Sequence, residues 1–307
     1  MGGEISKKIG DDGERLIAEF FKRIGWERTQ TQFNIDCANP HAHQRKEAKN
    51  PRQTHGADAL FSYICPYMPG VRRNILVSVK NSNFEASNSS KTKVENDIKE
   101  LQMLMDCFEL SEKRVDLQQS GGATTTKEIG VLIRIDRNPD IDKSLSKEMS
   151  NQLQQEGGNP VYLVDNERFD FIDSCMDYLI RKAGDRKNSF YIHKNSLNLT
   201  GETRRLESSF LPIQNLVAGP IAIRSSLEGE KYLILFCDEQ FSAFSAEKMI
   251  GMALTCSGGW PSKIVMVFND YDRTKSDIVE SVKARLDDGT FASTIHCDSF
   301  TIKSRLQ

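Results

Sequence analysis

A chain of 307 residues is long enough for one large domain or two ordinary ones, and its 38% hydrophobic and 27% charged content is that of a globular protein that buries a core. A formal charge of -2 excludes a surface coated in positive charge, so any contact with nucleic acid must be a local basic patch. No apolar run is long enough to span a bilayer and no secretory leader is visible, so the expectation is a cytoplasmic protein without a membrane segment.

Residues 11–25 carry Leu16, Ile17, Phe20, Phe21 and Ile24 at helical spacing, with Asp11 or Asp12 able to cap the start and Gly25 able to end the helix. Residues 29–36 read as a short strand. A polar, basic, Pro-containing loop follows over 39–56. Two strands are expected at 57–65 and 73–81, joined through Pro66, Pro69 and Gly70 by a tight connection. A helix over 91–110 has its apolar stripe at Val94, Ile98, Leu101, Met105 and Phe108. Residues 115–126 read as a flexible connection, 128–136 as a buried strand, 142–158 as a polar helix, 160–165 as a strand and 168–184 as a helix. Past residue 186 come short strands and loops. A βαβαβ alternation then runs over 231–238, 245–256, 262–270, 274–288 and 293–302, the pattern of a small parallel sheet. The expected organisation is α/β throughout, with one domain at 1–185 and a smaller one at 186–307.

The seven cysteines (Cys37, Cys65, Cys107, Cys175, Cys237, Cys256 and Cys297) are odd in number and form no CxxC pair. That pattern speaks against a disulfide framework and against a structural zinc site. His41 and His43 lie two apart, with too few further ligands in view for zinc.

The chemistry concentrates between residues 55 and 95. Asp58 opens the run "ADALFSYI". In "ILVSVK", alternation puts Leu76, Ser78 and Lys80 on one face. A lysine ending an apolar strand calls for a carboxylate or a phosphate. Asp58 on the neighbouring strand is one such partner, and a plain inter-strand salt bridge is the simpler account of the pair.

Helix, Asp58, Ser78-Val79-Lys80 and a following helix stand in an order that resembles the PD-(D/E)XK nuclease superfamily, over roughly residues 10–110. The resemblance implies a restriction-endonuclease-like αβββαβ core and Mg²⁺- or Mn²⁺-dependent phosphodiester hydrolysis. Ser78 departs from the usual Glu or Asp, and a serine cannot replace a carboxylate as a strong Mg²⁺ ligand. The segment is similar to a Ser-x-Lys branch of restriction enzymes that draws the missing carboxylate from the next helix. There Glu95 is nearest the expected distance, with Glu85 and Glu100 as weaker substitutes. Glu14, on the inward stripe of the first helix, is the other candidate, since many members use a carboxylate from that helix. The implied ligands are thus Asp58, Glu95 and Glu14, with Lys80 positioning water and stabilising negative charge. Asn81 and Ser82 would touch the phosphate backbone. Arg45, Lys46, Lys49 and Arg52 would form a phosphate clamp at the mouth of the site, where His55 would reach the metal or the leaving group.

The resemblance alone further implies a DNA endonuclease of prokaryotic anti-phage defence, working as a homo-oligomer or with a second defence protein. The rival reading is a catalytically silent relative that binds nucleic acid or scaffolds a partner, and Ser78 is its main support.

Overall fold

The computed structural model describes residues 15–45, 48–82, 89–136, 159–184, 187–193 and 207–304. It is a mixed α/β structure with two sheets. Contacts divide the described chain into two compact units, one of residues 15–22 and 26–167, the other of 23–25 and 168–304. The boundary expected near residue 186, the helix at 142–158 and the caps Asp11 and Asp12 fall outside the described residues.

In the first unit, helix α1 (residues 15–23) buries Ile17, Phe20 and Phe21. The chain then turns, and the Trp26 N–H donates to the Phe21 carbonyl at 2.7 Å. The Trp26 ring stacks on Phe21 and on Phe61, with centroids 5.3 and 4.7 Å apart. Strands β1 (Gln30–Asp36), β2 (Thr54–Ile64) and β3 (Val71–Ser82) form an antiparallel meander. The β2–β3 turn closes with the Val71 N–H on the Met68 carbonyl at 3.1 Å, and Gly70 takes a φ of 80° that a side chain would strain. Strands β4 (Thr125–Asp136) and β5 (Val161–Val164) extend the sheet in parallel, giving the order β1-β2-β3-β4-β5.

Helix α2 (Ser89–Glu109) lies on one face of this sheet. Its stripe of Val94, Ile98, Leu101, Met105 and Phe108 packs with Leu60, Leu76, Leu132 and Leu163 in a single buried cluster. Each such side chain contributes about 1.5–3 kcal/mol on leaving water, so the helix is seated by its apolar face. Residues 115–126 are not simply a connection. Helix α3 (Glu112–Gln119) starts at Ser111, whose side chain accepts from the Arg114 N–H. It buries no residue, so it leaves no apolar period to read.

The second unit contains most of helix α4 (Asn166–Ala183) and a six-stranded sheet of order β11-β10-β9-β8-β6-β7. Strands β9 (Glu230–Phe236), β10 (Lys263–Phe268) and β11 (Ile295–Ser299) run parallel. Three helices link them: α6 (Ala243–Ser257), α7 (Ser276–Lys283) and α8 (Gly289–Thr294). Strands β6 (Lys187–Tyr191), β7 (Glu207–Ser208) and β8 (Ile221–Leu227) add an antiparallel half, with the short α5 (Ile213–Val217) before β8. The sheet is therefore larger than the parallel alternation alone predicts, because pairing of β6 and β8 joins segments about thirty residues apart in sequence.

Candidate active site

The pairing of β2 with β3 brings the two halves of the motif together. Leu60 lies opposite Leu76, and Ala59 opposite Val77. The β1–β2 ladder breaks where Thr31 pairs with Ala59 and Phe33 with Ala57, since the intervening Gln32 takes a φ of 48°. Asp58 is the β2 residue at this break, and such irregularities re-aim side chains. Its exposed carboxylate accepts the Val79 N–H at 2.6 Å, between Ser78 and Lys80. Leu76 belongs to the cluster under α2, so alternation sends Ser78 and Lys80 to the same side of the sheet, just past the edge of that cluster. Both are half-buried.

The first turns of α2 supply the nearby acids. Glu95 is half-buried on this helix. Asp97, which the spacing from Lys80 did not single out, is half-buried as well. Burial pushes its carboxyl above the ordinary range, while the positive charges of Lys80 and Arg134 pull it back. Arg134 is buried on β4 directly beside Lys80. Val94, Asp97, Ile98 and Leu101 lie along one side of the helix, and that spacing was the available signal. Asn81 and Ser82 end β3 beside Ile135 and Asp136, Asn81 half-buried. Glu14, Lys46 and the side chain of Ser82 lie outside the described residues. Among the described residues, no three Asp, Glu, His or Cys ligand atoms gather around Asp58.

The basic loop is held differently from the expectation. Arg52 pairs with Glu100 of α2, and Arg45 lies 3.7 Å from the same carboxylate. Lys49 is exposed. His55 does not stand beside Asp58: it is 2% exposed, with Nε2 at 3.1 Å from Cys37 Sγ and 3.2 Å from His43 Nδ1. Its side chain belongs to a separate cluster.

The oxygen donors that β2, β3 and the first turns of α2 carry in this part of the sheet are the carboxylates of Asp58, Glu95 and Asp97 and the hydroxyl of Ser78, not gathered on one point. An all-oxygen set of this kind fits a hard divalent cation such as Mg²⁺ or Mn²⁺. The sequence matches a model of the GAPS4 protein PD-(D/E)XK nuclease domain over residues 1–168, more than half of the chain. No match was found among curated proteins or solved structures.

Proposed function

The chain belongs to the family of the GAPS4 protein PD-(D/E)XK nuclease domain, and from that premise we propose that it is a divalent-metal-dependent endonuclease that hydrolyses DNA phosphodiesters in prokaryotic anti-phage defence. The observation that carries this reading is the seating of the Asp58 carboxylate on the Val79 amide, between Ser78 and Lys80, with Asp97 of α2 in the field of Lys80. A bound Mg²⁺ or Mn²⁺ supplies Lewis acidity toward the phosphate and lowers the pKa of its water.

The protein's own groups have distinct roles. Asp58 anchors the site through an amide whose position β3 determines. Lys80 orients the attacking water and stabilises negative charge developing on the phosphate oxygens. The carboxylate missing at Ser78 comes from α2, where Glu95 has the sequence spacing and Asp97 has the charge environment. Glu14, which precedes α1 in the sequence, is proposed as the further donor. Arg45, Lys46, Lys49, Arg52, Asn81 and Ser82 follow the phosphate backbone, with Arg45 and Arg52 exchanging Glu100 for phosphate on binding. The part of the chain beyond the nuclease domain is proposed as an accessory domain for self-association or for a second defence protein.

Ser78 favours one second reading, a silent relative that binds nucleic acid without cutting it. Incubation of wild type with supercoiled plasmid, linear duplex, single-stranded DNA and RNA, with Mg²⁺ or Mn²⁺, separates the two. Cleavage that Asp58→Ala and Lys80→Ala abolish in folded protein supports the enzyme. Loss with Glu95→Ala or with Asp97→Ala identifies the α2 ligand, because removing a carboxylate that holds the ion weakens metal binding, which higher Mg²⁺ or Mn²⁺ would partly restore. Duplex binding without cleavage under every condition, including with neighbouring gene products present, selects the silent reading.

A further inference from the structure

Cys37, His43, His55 and Cys107 come from four separate segments, yet their ligand atoms all lie within 4.8 Å of one another. The two sulfurs are 3.9 Å apart and the two ring nitrogens 3.2 Å apart. His43 Nδ1 lies 3.4 Å from each sulfur, and His55 Nε2 lies 3.1 Å from Cys37 Sγ. A tetrahedral zinc site with bonds of about 2.3 Å to sulfur and about 2.0–2.1 Å to nitrogen has S···S, N···N and S···N edges of about 3.8, 3.3 and 3.6 Å. Five of the six edges, from 3.1 to 3.9 Å, lie close to those values, and the sixth, Cys107 Sγ to His55 Nε2, is within 4.8 Å.

Hydrogen bonding alone does not account for this convergence. His43 Nδ1 faces Cys37, Cys107 and His55 together, but one ring nitrogen has a single in-plane direction for a proton or a lone pair. A disulfide is not formed either, since the sulfurs stand well beyond the bonded distance of about 2.05 Å. A cation at the common centre satisfies all four groups at once. The Ala38 N–H donates to Cys107 Sγ at 3.3 Å, the kind of support that a metal-bound thiolate receives from its surroundings. Cys37, His55 and Cys107 are buried and His43 is half-buried, so the set is closed, as in structural rather than catalytic zinc sites.

We infer that these four residues form a structural Cys₂His₂ zinc site that pins the basic loop and the end of α2 to β1 and β2 of the first sheet. Cys37 follows β1, His43 lies in the loop, His55 lies on β2 and Cys107 lies in the last turn of α2. Loop 38–53, which carries Arg45, Lys49 and Arg52, is thereby tied at both ends and in between. Cys107 is ten residues beyond Asp97 on the same helix, about 15 Å along its axis, so this centre is distinct from the oxygen-donor site. Two thiolates with two imidazoles favour zinc over the hard cations proposed for Asp58.

The test uses tag-free, full-length protein from zinc-supplemented cells, dialysed against a chelator and assayed for Zn, Fe, Cu and Ni by plasma emission. About one zinc per chain is expected in wild type, in Asp58→Ala and in the control Cys297→Ser, with Cys37→Ser and Cys107→Ser falling several-fold below that. Because the cysteine variants can lose zinc simply by unfolding, wild type is also grown with Co²⁺. Tetrahedral ligand-field bands together with thiolate-to-cobalt charge transfer are expected. Folded wild type without metal, iron or copper in place of zinc, or cobalt protein lacking charge transfer would each overturn the assignment. None of these readouts depends on nuclease activity.

Discussion

Gly130 sits on β4 where α2 comes closest to the sheet. A Cβ added there would lie 3.0 Å from Leu101 Cδ2, 3.1 Å from Leu101 Cγ and 3.0 Å from Val161 Cγ2. Leu101 is fully buried and Val161 is paired with Gly130 across β4–β5, so neither side chain can swing away freely. Overpacking of a filled core costs about 1–3 kcal/mol. Gly→Ala also recovers about 0.4–1 kcal/mol by restricting the unfolded chain. The net expectation for Gly130→Ala is a loss of about 1–2 kcal/mol, or about 2–4 °C in melting midpoint per kcal/mol for a unit of this size. Gly56→Ala is the comparison: its Cβ meets only the end of the Asn34 side chain, at 3.0 Å, and the change should stay within about 0.5 kcal/mol. The chain has two tryptophans, Trp26 in the first unit and Trp260 in the second. In a Trp260→Phe background, Trp26 fluorescence during urea unfolding therefore reports the first unit. In the double variant Gly130→Ala/Leu101→Ala the new methyl should cost clearly less than in the wild-type background, since only the contact with Val161 remains. If Gly130→Ala is as stable as Gly56→Ala, or if the double variant shows simple additivity, the close seating of α2 at Leu101 is refuted.

Glu128 is 3% exposed and accepts the Arg114 Nε–H at 2.8 Å, so Arg114→Met should destabilise by about 2 kcal/mol, and adding Glu128→Leu should recover part of that in a denaturation cycle. Burial pushes the Asp298 carboxyl up, but the Tyr178 hydroxyl at 2.8 Å, the Ser299 N–H and Lys182 outweigh it and hold it below the ordinary range. An acid depressed in the folded state contributes stability above its unfolded pKa and loses it as pH falls through the folded one. The acid-side decline in urea midpoint should therefore be shallower in Asp298→Asn. Glu100→Gln releases Arg45 and Arg52, so duplex affinity at low salt should rise and the salt dependence should steepen by up to about two phosphate contacts; unchanged titrations would remove the loop from the binding surface.

The local elements were legible where a segment carries its own period. The α2 stripe from Val94 to Phe108 and the Leu76-Ser78-Lys80 alternation each record a face that the segment buries. Helix α3 was not legible, because with no buried residue it has no period to show. At the candidate site, Asp58 and Lys80 stood out as charges bounding apolar strands. Asp97 did not, because counting from Lys80 favours Glu95, whereas the position of Asp97 in the field of Lys80 and Arg134 depends on how α2 is seated over β3 and β4.

The Cys and His residues show the same division most sharply. Spacing along the chain argued against zinc, since no two ligands form a motif and the four span residues 37 to 107. Strand register nevertheless brings the four together: Ile35 pairs with His55, and the Cys37 N–H donates to the Gln53 carbonyl at 2.8 Å, while the packed face of α2 delivers Cys107 to the same point. Where a segment carries its own side-chain period, as α2 and β3 do, the element and the face it buries can be read from the chain, and where it carries none, as in α3, they cannot. The tertiary structure alone decided which ligands meet, because convergence depends on pairing and packing between segments that no local pattern encodes.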